Sequence, residues 1–250
     1  MTDKLAEVIS NSRRIVFFGG AGVSTESGIP DFRSEKGLYK ARQEFGYSPE
    51  TLLSRSFFDK HPDKFYKYYR GNLIHTDAVP NAAHRELAAL ERDGKLLAVV
   101  TQNIDGLHQK AGSERVYELH GSVHKNYCME CGATYGLDVV MSSDGVPRCG
   151  CGGIIRPDVV LYGEALDDGI VSKAMGVISA ADTLIIGGTS LAVYPAAALP
   201  EHFRGNCLIL INIDKTPMDS SADIVIRRPI GEVFEQAGRA KRSLTGSASE

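Results

Sequence analysis

The chain has 250 residues and a formal net charge of −3, with 43% hydrophobic and 24% charged residues. The composition is that of a globular protein, and the length allows one large domain or a large and a small one. The weak negative charge excludes a general attraction to nucleic acid or to anionic lipid, and no apolar run approaches the ~20 residues of a membrane span. Because the N-terminal segment carries acidic residues and no long apolar core, we predict no signal peptide and a cytoplasmic location.

The first distinctive stretch of the chain is an apolar run followed by glycines. Helical spacing of apolar residues predicts a short first helix, and Ile15 to Phe18 then predict a buried parallel strand. Gly19, Gly20 and Gly22 follow this strand directly, where glycines let the backbone turn sharply and bring N–H groups close to a phosphate. The spacing differs from the usual dinucleotide pattern, so the glycines alone also fit an ordinary strand-to-helix turn.

The segment from residue 36 to residue 79 is dense in aromatic and charged residues. Its pattern predicts mostly helices, interrupted at Pro49 and Pro62, rather than another strand-helix-strand unit. An aromatic-rich stretch of this kind either forms the core of a small helical module or contributes walls to a ligand channel. We predict a helical module and leave both roles open.

Strands and helices alternate through most of the remaining chain. Helices are predicted from Asn81 to Arg92, around Ile170, after Pro195 and from Gly231. Strands are predicted over residues 96–101, 116–119, 183–186, 208–213 and 224–226. This alternation indicates an α/β fold with a parallel sheet and right-handed crossovers. Residues 243–250 are small and polar, and we expect a flexible tail there.

Four of the five cysteines form a cluster that interrupts the alternation. The ligand pairs are C-x-x-C and C-x-C, and the candidate zinc ligands are Cys128, Cys131, Cys149 and Cys151. Four thiolates fill every position of a zinc tetrahedron, so the predicted zinc is structural and has no place for an activated water. Free buried thiols are the alternative. The segment between the pairs has a single basic residue, Arg148, which argues against a nucleic-acid module. The fifth, Cys207, is predicted to be a core residue.

Polar residues follow several predicted strands, where the ligand crevice of a parallel sheet lies. Gln102, Asn103, Asp105 and His108 come after one strand, and too many of them occur together for helix capping alone. A second glycine turn, Gly188, Thr189 and Ser190, offers a cradle for a phosphate or ribose. Asn212 and Asp214 end a further strand, where a polar side chain can bind a ribose.

Four motifs together resemble the signature of the sirtuins, the NAD-dependent protein lysine deacylases. They are GAGVSTESGIPDFR from Gly20 to Arg33, TQNIDGLH from Thr101 to His108, ELHG from Glu118 to Gly121, and GTSL from Gly188 to Leu191. The resemblance covers nearly the whole chain. It implies a Rossmann-like parallel sheet with a smaller module made of a zinc ribbon and helices. The implied large domain comprises residues 1–35, 80–123 and 156–242, and the small one comprises residues 36–79 and 124–155.

The resemblance also assigns roles to individual residues. His120, before a glycine, becomes the general base, and its ordinary pKa of ~6.5 suits proton removal near neutral pH. Asn103 is the second predicted catalytic residue. The predicted NAD-binding residues are Ala21, Gly22, Thr25, Asp31, Phe32, Arg33, Gln102, Asn103, Ile104, Asp105, His120, Gly188, Thr189, Ser190, Asn212, Asp214 and Ile230. The implied cofactors are NAD, as a co-substrate, and one structural zinc.

The implied partner is an acetylated lysine in an extended segment of protein or peptide, without membrane or nucleic acid. Two strand-like segments would receive it between them, through Val160, Tyr162, Gly163 and Val193. An ordinary buried strand and loop is the alternative for these residues. The implied reaction releases nicotinamide and transfers the acyl group to ADP-ribose. Two other functions stay open: NAD-dependent protein ADP-ribosylation, and a non-catalytic module that binds NAD or acyl-lysine.

The helical module bears on the choice of acyl group. Sirtuins that prefer succinyl-lysine carry Tyr-x-x-Arg there, and the arginine pairs with the acyl carboxylate. Here Tyr66 matches the tyrosine, Tyr69 stands in the place of the arginine, and Arg70 lies one position further along the helix. We therefore predict deacetylation, with longer neutral acyl groups accepted and succinyl groups removed weakly.

Overall fold

The computed structural model describes residues 2–30 and 35–246. The predicted NAD contacts Asp31, Phe32 and Arg33 lie outside the described residues. The described chain forms a large parallel sheet covered on both faces by helices, and a second, smaller sheet that packs with a group of helices. The predicted α/β class with a Rossmann-like sheet is confirmed.

The large sheet contains six parallel strands in the order β3-β2-β1-β7-β8-β9. Their bounds are β1 Ile15–Gly19, β2 Leu96–Thr101, β3 Val116–Glu118, β7 Thr183–Gly187, β8 Cys207–Ile211 and β9 Ile224–Ile226. Strand order reverses at β1, and ligands of such sheets bind outside the carboxyl ends of the strands at this point. Gly19 is level with both Thr101 and Gly187, so the loops after β1, β2 and β7 begin side by side.

Both faces of the large sheet are buried, which explains the unbroken apolar runs of its strands. Phe17 belongs to a core covered by α1 (Thr2–Asn11), α6 (Ala82–Arg92) and α10 (Ile230–Gly246). Phe18 belongs to the core on the other face, under α9 (Asp168–Ala180) and a 3₁₀-helix at Ala196–His202. Successive residues of β1 therefore serve different cores, as strand geometry requires.

The smaller module joins the predicted helices and the cysteine-rich segment around one shared core. It contains α2 (Glu35–Phe45), α3 (Pro49–Leu52), α4 (Arg55–Lys60), α5 (Pro62–Asn72) and α8 (Leu137–Ser142). Its antiparallel sheet has the order β5-β4-β6, with β4 Gly121–Cys128, β5 Thr134–Tyr135 and β6 Ile155–Val159. Phe58, Tyr66 and Tyr69 pack with Val123 of this sheet, so most of the aromatic residues are core.

The two prolines of the helical module begin helices rather than interrupt them. Pro49 and Pro62 stand at the first turns of α3 and α5, where the missing N–H costs nothing. Ser48 and Ser54 cap α3 and α4 by accepting hydrogen bonds from backbone N–H groups of the first turn.

Three sequence predictions differ from the structure in detail. The strand-like segment expected to receive the peptide, residues 159–164, is a regular strand only as far as Val159, because the chain then turns away from β4 and pairs with the segment before α4. The helix after Pro195 is of the 3₁₀ type and includes Pro200, whose missing N–H cannot join an α-helical ladder. Helix α10 continues to Gly246, beyond the expected start of the tail, because residues 241–245 include no helix breaker.

The predicted division into a large and a small domain stays a proposal. Two separate sheets and the separate core of the small module support it. None of the helices in the described part of the chain combines the length and the apolar character that a membrane crossing requires.

Candidate functional site

A cavity of about 220 Å³ lies at the carboxyl edge of the large sheet, between this sheet and the small module. It brings together most of the predicted site residues: Ala21, Gly22, Gln102, Asn103, Ile104, Asp105, His120, Val160, Tyr162, Gly163, Gly188, Thr189, Ser190 and Val193. These residues come from segments far apart in the chain. The position of the cavity follows from the parallel sheet, whose strands all end at this edge.

The two glycine turns pack directly against each other at the floor of the cavity. The N–H of Gly22 donates to the carbonyl of Gly188 at 2.8 Å, and a Cβ added to Gly22 would lie 2.8 Å from the Cα of Gly188. Gly188 has a φ of +58°, in the left-handed region that favours glycine. Gln102 links the turns to the next loop by donating from Nε2 to Thr189 Oγ1 at 3.0 Å. Side chains at these glycines would collide with the opposite turn and force the two turns apart.

A short polar network fixes the loop after β2. Ser24, which is 1% exposed, donates to Asp105 Oδ2 at 2.7 Å and accepts from Asn103 Nδ2 at 3.1 Å. The other carboxylate oxygen of Asp105 accepts from the N–H of Leu107 at 2.9 Å. Ser24 therefore holds both predicted NAD-contacting side chains in one orientation. Residue patterns did not single out Ser24, although it lies within the motif after β1.

His120 occupies the short connection between the large and the small sheet. Its Nδ1 lies 2.8 Å from the carbonyl oxygen of Gln102, which can only accept, so Nδ1 carries the proton in the neutral ring. The lone pair is then on Nε2, as a general base requires. The next residue, Gly121, has a φ of +75°, and a Cβ there would lie 1.9 Å from the carbonyl oxygen of Asp158. Glycine is therefore required after His120, because β4 and β6 meet closely at this point.

We refer to residues 160–163, where the sequence predicts peptide binding, as the peptide-accepting segment. Tyr162 pairs with the segment before α4, through hydrogen bonds of 3.0 Å from its N–H to Leu53 and from Arg55 N–H to its carbonyl. The N–H of Val160 donates to the carbonyl of His120 at 3.0 Å, which ties this segment to the predicted base. Gly163 is exposed, and its N–H and carbonyl have no backbone partner among the described residues.

Four predicted cofactor residues do not line this cavity. Thr25 is exposed and donates from its hydroxyl to the carbonyl of Gly22 at 3.0 Å. Asn212 donates to the carbonyl of Asp214 at 2.9 Å, and Asp214 is exposed at the end of the sheet. Ile230 is 3% exposed within the core beneath the sheet, so its predicted contact with NAD is restricted to its backbone. The roles of the other three stay predictions.

Two further histidines, His108 and His124, have other surroundings than His120. His108 is 1% exposed and its ring lies against that of His84, with centroids 4.7 Å apart, inside the protein. Burial holds the pKa of both rings below the ordinary range, to about 4 for His84. His124 lies with Nε2 3.1 Å from the carbonyl oxygen of Asp105, so it contacts the site through the backbone.

The cavity also includes residues that sequence patterns did not identify. Leu53, Tyr69, Asn72 and Leu73 come from the helical module and close its far side. The aromatic density of this module indicated a possible channel wall. Tyr69 lines the cavity, while most of the module's other aromatic residues belong to the core without lining it. No spacing rule separates the two roles, because they depend on which turn of a helix faces the sheet.

The four clustered cysteines fit a zinc ion. Their sulfur atoms lie within 4.8 Å of one another, with Cys128 and Cys151 at 3.5 Å and Cys131 and Cys149 at 3.6 Å. A tetrahedral zinc with Zn–S bonds of ~2.3 Å places its sulfurs roughly 3.8 Å apart. The backbone N–H of Cys151 and the hydroxyl of Tyr135 lower the pKa of Cys149 to about 6, which favours the thiolate that zinc requires. Four sulfur ligands make this predicted zinc structural.

A glycine-lined crevice at the strand reversal of a parallel sheet, with a histidine beside it, defines the class of dinucleotide-binding α/β enzymes. Comparison with known proteins gives the family. The protein-family model described as "Sir2 family" matches residues 20–195 of the chain. The chain belongs to the Sir2 family, as its sequence motifs predicted.

Similar proteins and solved structures match this chain over nearly its whole length. A Clostridium acetobutylicum protein named NAD-dependent protein deacetylase is 58% identical over 235 residues, 93% of this chain and 96% of that protein. A Staphylococcus aureus protein of the same name is 48% identical over 225 residues, 90% of this chain and 92% of that protein. A structure of a Sir2 homolog–NAD complex is 39% identical and has a TM-score of 0.87, with coverage of 97% and 94% of the two chains.

Proposed function

We propose that this protein is an NAD-dependent protein lysine deacetylase that transfers the acyl group to ADP-ribose and releases nicotinamide. The observation that carries the proposal is the single cavity in which the two glycine turns, the loop after β2, His120 and the peptide-accepting segment meet. Such a cavity holds a dinucleotide and an extended peptide next to one histidine. Relatives at 58% and 48% identity are named NAD-dependent protein deacetylases.

When bound, NAD as the second substrate would supply the ribose carbon that the acyl-lysine oxygen attacks as nicotinamide leaves, and the ribose hydroxyl that then receives the acyl group. We assign the nicotinamide side to Asn103, Ile104 and Asp105, and the diphosphate side to Ala21 and Gly22, with the second glycine turn opposite. The network through Ser24 supports the first assignment, because it orients two of these side chains before any ligand arrives. The exposed backbone at the glycine turns supports the second.

His120 acts as the general base in this proposal and removes a proton from a ribose hydroxyl. The hydrogen bond to Gln102 supports the role by leaving the lone pair on Nε2. The small module covers the cavity and limits the access of water, which would otherwise compete with the acyl group. Water exclusion and proton removal are thus assigned to different parts of the fold.

The substrate we propose is an acetylated lysine in an extended peptide that adds a strand between the peptide-accepting segment and Val193. The exposed, unpaired backbone of Gly163 supports this assignment, because strand addition uses backbone hydrogen bonds. Backbone pairing requires no particular peptide sequence. We place the protein in the cytoplasm and expect no direct nucleic-acid partner; both proposals rest on composition and on the cysteine pattern.

We propose a preference for acetyl over succinyl groups. Arg70, which follows Tyr69 on α5, donates from its guanidinium to the carbonyl of Val140 at 2.8 Å and to that of Gly145 at 2.6 Å. Its guanidinium is therefore engaged with the zinc-binding part of the small module. Tyr69 lines the cavity instead, and a tyrosine hydroxyl has no positive charge with which to pair a carboxylate. Burial raises the pKa of this hydroxyl, so it stays neutral.

The proposal is tested by mass spectrometry of an acetyl-lysine peptide incubated with the protein, with and without NAD. We expect deacetylated peptide, nicotinamide and acetylated ADP-ribose in equal amounts, only with NAD. His120→Ala should abolish all three products, and His202→Ala, a partly exposed histidine distant in sequence, is the matched control. ADP-ribose left covalently on protein would instead support the ADP-ribosyltransferase. Binding without nicotinamide release would support the non-catalytic module.

A further inference from the structure

A partly enclosed ion pair adjoins the peptide-accepting segment, and its acidic residue also lines the cavity. Glu164 follows this segment in the chain, and Arg156 lies on β6. The two side chains form a two-point contact, with Nη1 to Oε1 at 2.7 Å and Nη2 to Oε2 at 2.9 Å. Arg156 is 5% exposed and Glu164 is 19% exposed, so solvent screens this pair far less than a surface pair.

The same carboxylate also holds the backbone of the segment. Glu164 Oε2 accepts from the N–H of Leu161 at 2.9 Å, and Arg156 Nη2 donates to the carbonyl of Val159 at 3.1 Å. The ion pair therefore connects the residue before the peptide-accepting segment, a residue within it and the residue after it. A segment that is not part of a regular strand gains its fixed shape from these bonds.

A third charge links the segment to the helical module. Arg55, at the start of α4, donates from Nη1 to Glu164 Oε1 at 3.2 Å, and its backbone pairs with Tyr162. Arg156 also lies over the rings of Phe58 and Tyr127, each 5.7 Å from its guanidinium carbon. One carboxylate thus receives cations from both parts of the small module, the helices and the sheet that carries the cysteines.

We propose that Glu164 is a positioning residue that sets the affinity for the acylated peptide and leaves the affinity for NAD unchanged. This inference rests on the proposed function. Glu164 would hold the segment flat and extended before the peptide arrives, so that the peptide does not have to order it. Ordering of the recipient on binding weakens affinity, whereas a recipient already in its bound shape does not incur that loss.

Loss of this ion pair should affect the binding of the peptide and not the binding of NAD. The NAD-binding side of the cavity is held by the Ser24 network and by the packing of the two glycine turns, neither of which includes Arg156 or Glu164. Loss of the ion pair should therefore raise the KM for peptide without raising the KM for NAD. A residue needed only for folding would lower the amount of active protein, and would leave both KM values unchanged.

The test is Glu164→Gln in the full chain, which keeps the size of the side chain and removes its charge. Binding of a fluorescein-labelled acetyl-lysine peptide is measured by anisotropy, and steady-state kinetics are measured with each substrate varied in turn. We expect peptide Kd and KM to rise about tenfold, the usual effect of losing a charged hydrogen bond. The KM for NAD and kcat should stay within about twofold of the unaltered protein.

Two further variants keep the test decisive. Glu235→Gln removes the exposed ion pair to Arg239 on α10 and is the matched control, with no expected change in peptide affinity. Arg55→Ala removes only the ion pair of Glu164 with the 41% exposed side chain of Arg55, and it serves as the test if Glu164→Gln does not fold. It should weaken peptide binding several-fold, and Arg55→Lys should restore part of that binding.

The results separate this inference from the proposed function. If the unaltered protein neither binds nor deacetylates the peptide, the proposed function is wrong. If the unaltered protein is active and Glu164→Gln and Arg55→Ala retain its peptide affinity, only the positioning role is wrong. Equal increases in the KM for peptide and for NAD would also overturn it.

Discussion

The buried pair His84 and His108 should make the protein sensitive to mild acid. Both side chains are enclosed, and His84 Nε2 and both ring nitrogens of His108 have no hydrogen-bond partner among the described residues. Burial lowers the pKa of His84 to about 4, although the charge of Asp105 opposes the shift, and that of His108 well below 6.5. Each ring is therefore neutral in the folded protein and takes up its proton in the unfolded chain.

The sign and the magnitude follow from these values. Between pH 6.5 and about 4 the unfolded chain binds a proton at His84 that the folded protein does not, so stability falls as pH falls through this window. A shift from 6.5 to about 4 lowers the free energy of unfolding by about 2 kcal/mol between pH 7 and pH 5. Burial lowers the pKa of His108 as well, so this ring should act on stability in the same direction.

Urea unfolding at pH 7, 6 and 5 measures this dependence. His84→Asn keeps a side-chain acceptor near the N–H of Asn81, which His84 Nδ1 accepts at 3.3 Å, but it cannot titrate. Whatever its stability at pH 7, this variant should lose about 2 kcal/mol less than the unaltered protein on going to pH 5. His202→Asn is the control and should retain the full dependence. An unchanged pH dependence in His84→Asn would refute the reasoning.

Three further predictions concern the site and the zinc cluster. Ser24→Ala should lower kcat/KM about 10- to 100-fold, because the carboxylate of Asp105 loses a charged hydrogen bond; steady-state kinetics with unchanged thermal unfolding would check this. Gly121→Ala should lower the unfolding temperature by several degrees and reduce activity, because its Cβ would strike a backbone carbonyl; calorimetry and the peptide assay measure both, and a stable, active variant would contradict it. Tyr135→Phe should speed zinc release to a chromogenic chelator, because Cys149 loses a hydrogen bond of 2.9 Å, and an unchanged release rate would contradict it.

The sequence predicted the large sheet better than the cavity wall. Apolar runs such as Ile15 to Phe18 identify buried strands, and the loops after parallel strands must meet at one edge. These simple rules lead to the cavity that Gly22, Gln102 and Gly188 line. The family resemblance added His120, because residue patterns alone do not distinguish it from the other histidines among the seven in the chain.

Residues that depend on tertiary packing were not predictable in this way. Tyr69 and Tyr66 are neighbours on one helix, yet only Tyr69 lines the cavity, while Tyr66 donates to the carbonyl of Ile155 in the interior. The end of the strand at Val159 was missed because the apolar run continues beyond it. No local sequence pattern predicts the ion pair between Arg156 and Glu164, because the chain reverses direction between these residues.

The short connection between the two sheets has a mechanical consequence. Only Leu119 and His120 separate β3 from β4, and the imidazole is anchored to the Gln102 carbonyl of the large sheet's loop. The ring is therefore oriented from both sides, by a loop of the large sheet through its Nδ1 and by the small sheet through the chain that continues into β4. The predicted proton acceptor thus depends on both sheets for its position, although it belongs to neither.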